Sequence, residues 1–152
     1  MKDKKINIFN LILYIIYIFS IIFFIFKSEY GKSGLSAASL IMLFVLSKLY
    51  SKNYPIIDKS LLIFGNLFIL FSFVLGSCYG LYDKIKIYDD FLHFWSGFIT
   101  FKIGWNILNF LNIENSSSKI TILIFILFFG IGISGFFEIK QVVDINCQQL
   151  PS

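Results

Sequence analysis

Long apolar blocks alternate with short polar breaks along the whole chain. Five blocks run over roughly residues 6–26, 35–50, 61–82, 91–111 and 120–138. About 20 apolar residues rising ~1.5 Å each cross a hydrocarbon core of ~30 Å, so each block reads as a spanning helix. Backbone in lipid must satisfy its own polar groups, and no ten-residue alternation of the kind a barrel strand needs is present. The breaks, KSEYGKSG, SKNYPIIDKS, DKIKIYDD and NIENSSSK, are short and charged, and most carry Gly, Pro, Asn or Ser. The pattern therefore predicts an all-α polytopic transmembrane helix bundle of about five spans. Neither linker nor repeat interrupts it, so residues 1–152 read as a single integral membrane domain.

Two blocks are less regular than the rest. The first comes after MKDKK and resembles a secretory signal, but its apolar run is too long and too aromatic for one, and no small-residue cleavage site succeeds it. It reads as an uncleaved first helix. The second block is short and serine-bearing, with Lys48 near its end. Were it not to span, every later segment would invert.

Orientation follows from lysine counting. With the N-terminus inside, Lys2, Lys4, Lys5, Lys48, Lys52, Lys59 and Lys119 are cytoplasmic, seven against the five outside, Lys27, Lys32, Lys84, Lys86 and Lys140. Lys102 lies within a span. The first turn of the fourth helix is then on the outer side.

Composition narrows the class further. The chain is 57% hydrophobic and 14% charged, with a mean hydropathy of +0.81. A soluble domain of this length needs more polar surface to cover its core. The net charge of +4 comes from lysine alone, with no basic cluster beyond the N-terminus, so nucleic-acid binding has no footing. The absence of arginine beside abundant Ile, Lys, Asn and Phe points to an AT-rich bacterial genome. Cys78 and Cys147 are too few and too far apart for a metal knuckle or a disulfide framework. Cys78 reads as a small packing residue; the alternative is a disulfide to Cys147 on the outer side. Nothing in the pattern specifies an oligomeric state.

Candidate chemistry sits at the mouth of the fourth span. At about 100° per residue, Asp89, His93, Ser96, Gly97, Thr100 and Gly104 fall on one small and polar stripe. Phe91, Phe98 and Trp105 occupy the far side, suited to lipid. The fifth span has a matching stripe of Gly130, Ser134, Glu138 and Gln141, in which Gly130 and Ser134 form a pair that admits a close helix neighbour. His93 and Glu138 lie equally far in sequence from the centre of the loop between these two spans. An antiparallel hairpin would therefore place them at one depth, with Asp89 and Gln141 slightly further out. The expected binding cluster is Asp89, His93, Glu138 and Gln141, with Asp90 at its edge.

Structural readings stand beside the functional one. Asp89 and Asp90 also suit helix N-caps, favoured by the positive end of the dipole. A lone interfacial histidine is often a packing group, and Glu138 at a span end could simply face headgroups. The four together read as a site, because ionisable residues inside a bundle are functional candidates by default; an interhelical clamp is the structural alternative. Chemically, Asp89, His93 and Glu138 could ligate a divalent cation, or His93 and Glu138 could perform acid–base catalysis. On the opposite face, Lys102 reads as a snorkelling side chain. Asn10 and Asn66 read as interhelical hydrogen-bonding groups.

YDDFLHFWSGFI together with the later GISGFFEIKQVVDINCQQ resembles the YjdF-like family of bacterial inner-membrane proteins, and more distantly VanZ-like proteins. Both tend to carry D-x-x-x-H-F opening one helix, and a glutamate with Glu or Gln three residues on at the end of the next. Here these are Asp89, His93, Phe94, Glu138 and Gln141, and Asn146 and Gln148 match a YjdF-like tail. The resemblance covers roughly residues 76–149. It implies a bacterial cytoplasmic membrane and, through the VanZ-like relatives, glycopeptide-antibiotic tolerance at the cell envelope. YjdF-like proteins continue into a D-T-x-x-D segment that opens a further helix. This sequence reaches QQLPS without one, so the expectation is a truncated chain or a lost helix.

Three functions are expected on these grounds. The first is an envelope protein whose outer cluster binds a lipid headgroup, a cell-wall precursor or a cation. The second is a membrane-embedded hydrolase or transferase, with His93 as base beside a carboxylate-held metal. The third is a structural or regulatory subunit.

Overall fold

The computed structural model describes residues 4–111, 118 and 120–132. They form helices throughout, with no strand among them: α1 (Lys4–Phe26), α2 (Tyr30–Ser51), α3 (Lys59–Ile69) running directly into a π-helical segment (Leu70–Cys78), α4 (Leu81–Lys84), α5 (Tyr88–Phe110) and α6 (Ile120–Gly132). The all-helical bundle arises from the apolar blocks, as expected. Three of these helices, over Ile6–Phe26, Tyr30–Ser51 and Lys59–Cys78, are long and apolar enough to cross a membrane. α5 is 23 residues long, but His93, Lys102 and Asn106 interrupt its apolar run. The described part of α6 is shorter than a span. The chain divides into two compact units, one ending at Trp95 and one beginning at Ser96.

In the first unit α1, α2 and α3 pack as a three-helix bundle. Backbone chemistry ends each helix. Ser28 and Asn53 take left-handed φ values of 57° and 56°, and the next N–H groups, of Glu29 and Tyr54, return to Phe24 O and Leu49 O at 2.9 and 3.1 Å. These are 6→1 bonds that satisfy carbonyls otherwise orphaned at a helix end. Asp58 caps α3, its Oδ1 accepting from the Leu61 N–H at 2.8 Å.

The second helix corrects the sequence reading. It starts at Tyr30 rather than near 35: the stretch that resembles a turn is helical, and its serines, not its exposed Gly31 and Gly34, are contact residues. Ser33, Ser36 and Ser39 are all buried. Ser33 Oγ donates across to Ile21 O at 3.4 Å, and Ser39 Oγ donates to Leu35 O within its own helix at 2.8 Å. Small residues let backbones approach in a membrane, where apolar surface alone gives helices little reason to associate. The core above them is Leu13, Tyr17, Leu43, Ile69, Leu70 and Val74. Asn66, fully buried, donates through Nδ2 to Asn10 Oδ1 at 3.4 Å, which realises the interhelical role expected of both.

The third span closes earlier than 82. Gly80 has φ 71° and turns the chain into the single turn of α4, a conformation that costs a residue with a Cβ more than it costs glycine. Cys78 is a free, buried thiol 3.5 Å from Ser36 Oγ. It packs, as its small size suggested; Cys147 lies outside the described residues.

In the second unit α5 and α6 meet through Leu108, Ile122 and Ile126, with Trp105 packed against them. Trp105 is thus a packing residue, not the lipid-facing one expected. A Cβ at Gly104 would lie 3.2 Å from Phe129 Cδ1, so this glycine sets the helix approach. Gly130, expected to do so, has nothing within 4 Å of a built Cβ; Ser134 lies outside the described residues. Ser118 caps α6, its Oγ accepting from the Thr121 N–H at 3.2 Å.

Candidate functional site

α5 opens at Tyr88, and its first turns carry the ionisable residues. Their placement is set by the chain just before them. Tyr88 is buried, and its hydroxyl donates to Phe71 O in the π segment at 2.7 Å. Tyr82 stands edge-on to Tyr88, ring centroids 5.5 Å apart, with its hydroxyl 3.2 Å from Ser72 Oγ. One turn further on, Leu92 is buried, and Trp95 packs among Phe64, Phe68, Phe71 and Phe91. Tyr88, Leu92 and Trp95 recur at helical spacing and make up the packing face. The opposite side of the same turns holds the candidate residues.

Asp89 and His93 are brought together there. His93 Nε2 lies 3.5 Å from Asp89 Oδ2, one helical turn apart, with the side chains 75% and 62% exposed. The contact is an ion pair only when the imidazole is protonated. At such exposure an i,i+4 pair contributes about 0.3–0.5 kcal/mol. Asp90 is exposed beside them. Asp89 and His93 are turned outward, whereas Gly104 at the other end of the stripe is buried against α6. Glu138 and Gln141 lie outside the described residues, so half of the expected cluster does too. Among the described residues no group of three or more His, Cys, Asp or Glu side chains could hold a metal ion. The cation reading of Asp89, His93 and Glu138 therefore depends on Glu138. On the other face Lys102 is half-buried and Asn106 buried, and neither is without a polar or electrostatic partner.

Tyr82, Tyr88 and the π segment had no clear signal in the sequence. The visible hint was two tyrosines flanking KIKI at a span boundary, where aromatic residues with a polar tip are common anyway.

A family model described as "Predicted membrane protein (DUF2238)" matches residues 9–143. The chain belongs to this family. The DUF2238 match takes in α1 through α6 almost whole and includes Asp89, His93, Glu138 and Gln141. That description agrees with the three span-length apolar helices. No curated protein and no solved structure matches the chain significantly.

Proposed function

We propose that this DUF2238 protein is a multi-pass protein of the bacterial cytoplasmic membrane, N-terminus inside, that presents Asp89 and His93 at the outer face to a polar ligand. The ligand is a lipid headgroup, a lipid-linked cell-wall precursor or a cation. One observation carries the reading: an acid–imidazole pair is exposed on the opening turns of a helix, opposite the side on which Tyr88, Leu92 and Trp95 pack. The lysine distribution and the YjdF-like resemblance support the orientation and compartment. The fourth and fifth spans of the proposal are α5 and the helix that begins at Ile120.

A membrane hydrolase or transferase built on the same residues would need Glu138 as a third group, with His93 as base and a metal to activate water. Two groups suffice to orient a headgroup, so binding is the preferred reading.

Purification in mild detergent, with native mass spectrometry and metal analysis of the product, tests it. The parent protein should retain a lipid, a precursor or a stoichiometric cation, and His93→Ala and Asp89→Asn should each lose it while remaining monodisperse. Identical bound species in all three proteins would remove Asp89 and His93 from any ligand site.

A further inference from the structure

Leu70–Cys78 is a π-helix of nine residues, whereas π geometry mostly appears as a single turn inserted in an α-helix. Side chains from the strap that follows it, residues 79–88, contact it. The Tyr88 hydroxyl occupies Phe71 O at 2.7 Å, and the Tyr82 hydroxyl lies 3.2 Å from Ser72 Oγ. Gly76 makes room for the Tyr82 ring: a Cβ there would lie 2.5 Å from Tyr82 Cε2 and 3.0 Å from Phe71 O. The two tyrosine rings touch edge to face, so they act as one clamp. At the far end of the segment Cys78 is 1% exposed, with its thiol donating to Lys32 O at 3.4 Å.

We propose that Leu70–Cys78 is a register switch between π and α winding, latched in the π form by Tyr82 and Tyr88. In a membrane the alternative to one hydrogen-bonded helix is another, because an unwound backbone in lipid leaves its polar groups unsatisfied. Closing i→i+4 instead of i→i+5 rings shifts the downstream chain by about one residue, or ~100° of rotation. Cys78 then turns away from Ser36, and Tyr88 leaves Phe71 O. Because Tyr88 precedes Asp89, the winding also sets how Asp89 and His93 are presented. That last coupling rests on the proposed ligand site; the switch itself does not.

Cys78 is the natural reporter. In a Cys147→Ser background, maleimide labelling of native membranes should be slow for the parent chain. Tyr88→Phe withdraws one hydroxyl and keeps the ring. Gly76→Ala displaces Tyr82 and favours α winding through its higher propensity. Each should label about tenfold faster, the ratio expected when one buried hydrogen bond is lost from the closed form. Leu62→Ala, a cavity in α3 away from the strap, should label at the parent rate. The switch is refuted if monodisperse Tyr88→Phe protein labels like the parent, or if Leu62→Ala accelerates labelling as much as the latch variants do. Ligand retention plays no part in this readout, so either proposal can fail alone.

Discussion

The α1–α3 bundle and the opening of α5 treat polar side chains in opposite ways. In the bundle Ser20, Ser33, Ser36, Ser39 and Asn66 are buried, and each makes a short-range bond to a carbonyl, a thiol or another amide. All are small or uncharged. At the opening of α5 the polar residues are ionisable and exposed, while aromatic and aliphatic neighbours do the packing. The difference separates two uses of polarity in a membrane protein. Neutral groups can be matched inside a helix interface at little cost, whereas ionised ones are expensive there and are kept where a ligand or water can reach them.

That contrast can be broken most directly in the bundle core. Leu43 is fully buried, and Leu43→Ala should cost about 2 kcal/mol in reversible detergent unfolding, the low end for such cavities because lipid replaces water as the reference. A negligible loss would mean the bundle is not close-packed. Tyr17 sharpens the comparison from the other side. Its hydroxyl is buried with no hydrogen-bond partner among the described residues, so Tyr17→Phe should raise stability by about 1 kcal/mol in the same assay. Destabilisation would show that the hydroxyl is engaged after all. For Asn10 and Asn66, a double-mutant cycle with alanine should return a coupling of about 0.6 kcal/mol.

At α5 the expected stability effects are smaller. Asp89→Asn and His93→Ala should each shift unfolding by less than about 0.5 kcal/mol, since neither side chain is packed. A loss comparable to Leu43→Ala would make the pair structural and end the contrast.

The smallest effect concerns Glu29, between α1 and α2. Lys32 holds its carboxylate by a hydrogen bond at 2.6 Å and lowers its pKa below the usual glutamate value. A lowered carboxyl pKa stabilises the fold above the unfolded-state value, and that contribution disappears as pH falls through the lowered one. Lys32→Met should therefore move the Glu29 titration, monitored by carboxyl NMR, back toward the ordinary range, with a small loss of stability at neutral pH that vanishes in acid.

Much of the fold is legible in residue order, and the misreadings share a cause. α1 matches its apolar block within two residues at its start, and α5 opens three residues before its block. The start of α2 is hidden because Gly31, Ser33 and Gly34 resemble a loop by composition, although Ser33 is buried as small residues at helix interfaces in lipid often are. The angle of Trp105 on an ideal helix points it to lipid, but the position of α6 turns that face into a contact. Asp89 and His93 are legible because helical spacing alone pairs them. The reach from His93 to Glu138 depends on loop symmetry, and Glu138 lies outside the described residues.

The order of residues by itself determined that this is a helical membrane protein and that an acid and an imidazole share the opening turns of one helix. Length, hydropathy and the 3.6-residue period are local properties, and no neighbour can change them. Tertiary structure alone decided which face of each helix is spent on packing, where the third span stops, and that nine of its residues wind as a π-helix under the hold of Tyr82 and Tyr88. These depend on contacts between residues far apart in sequence, so their energies appear only once the helices stand side by side.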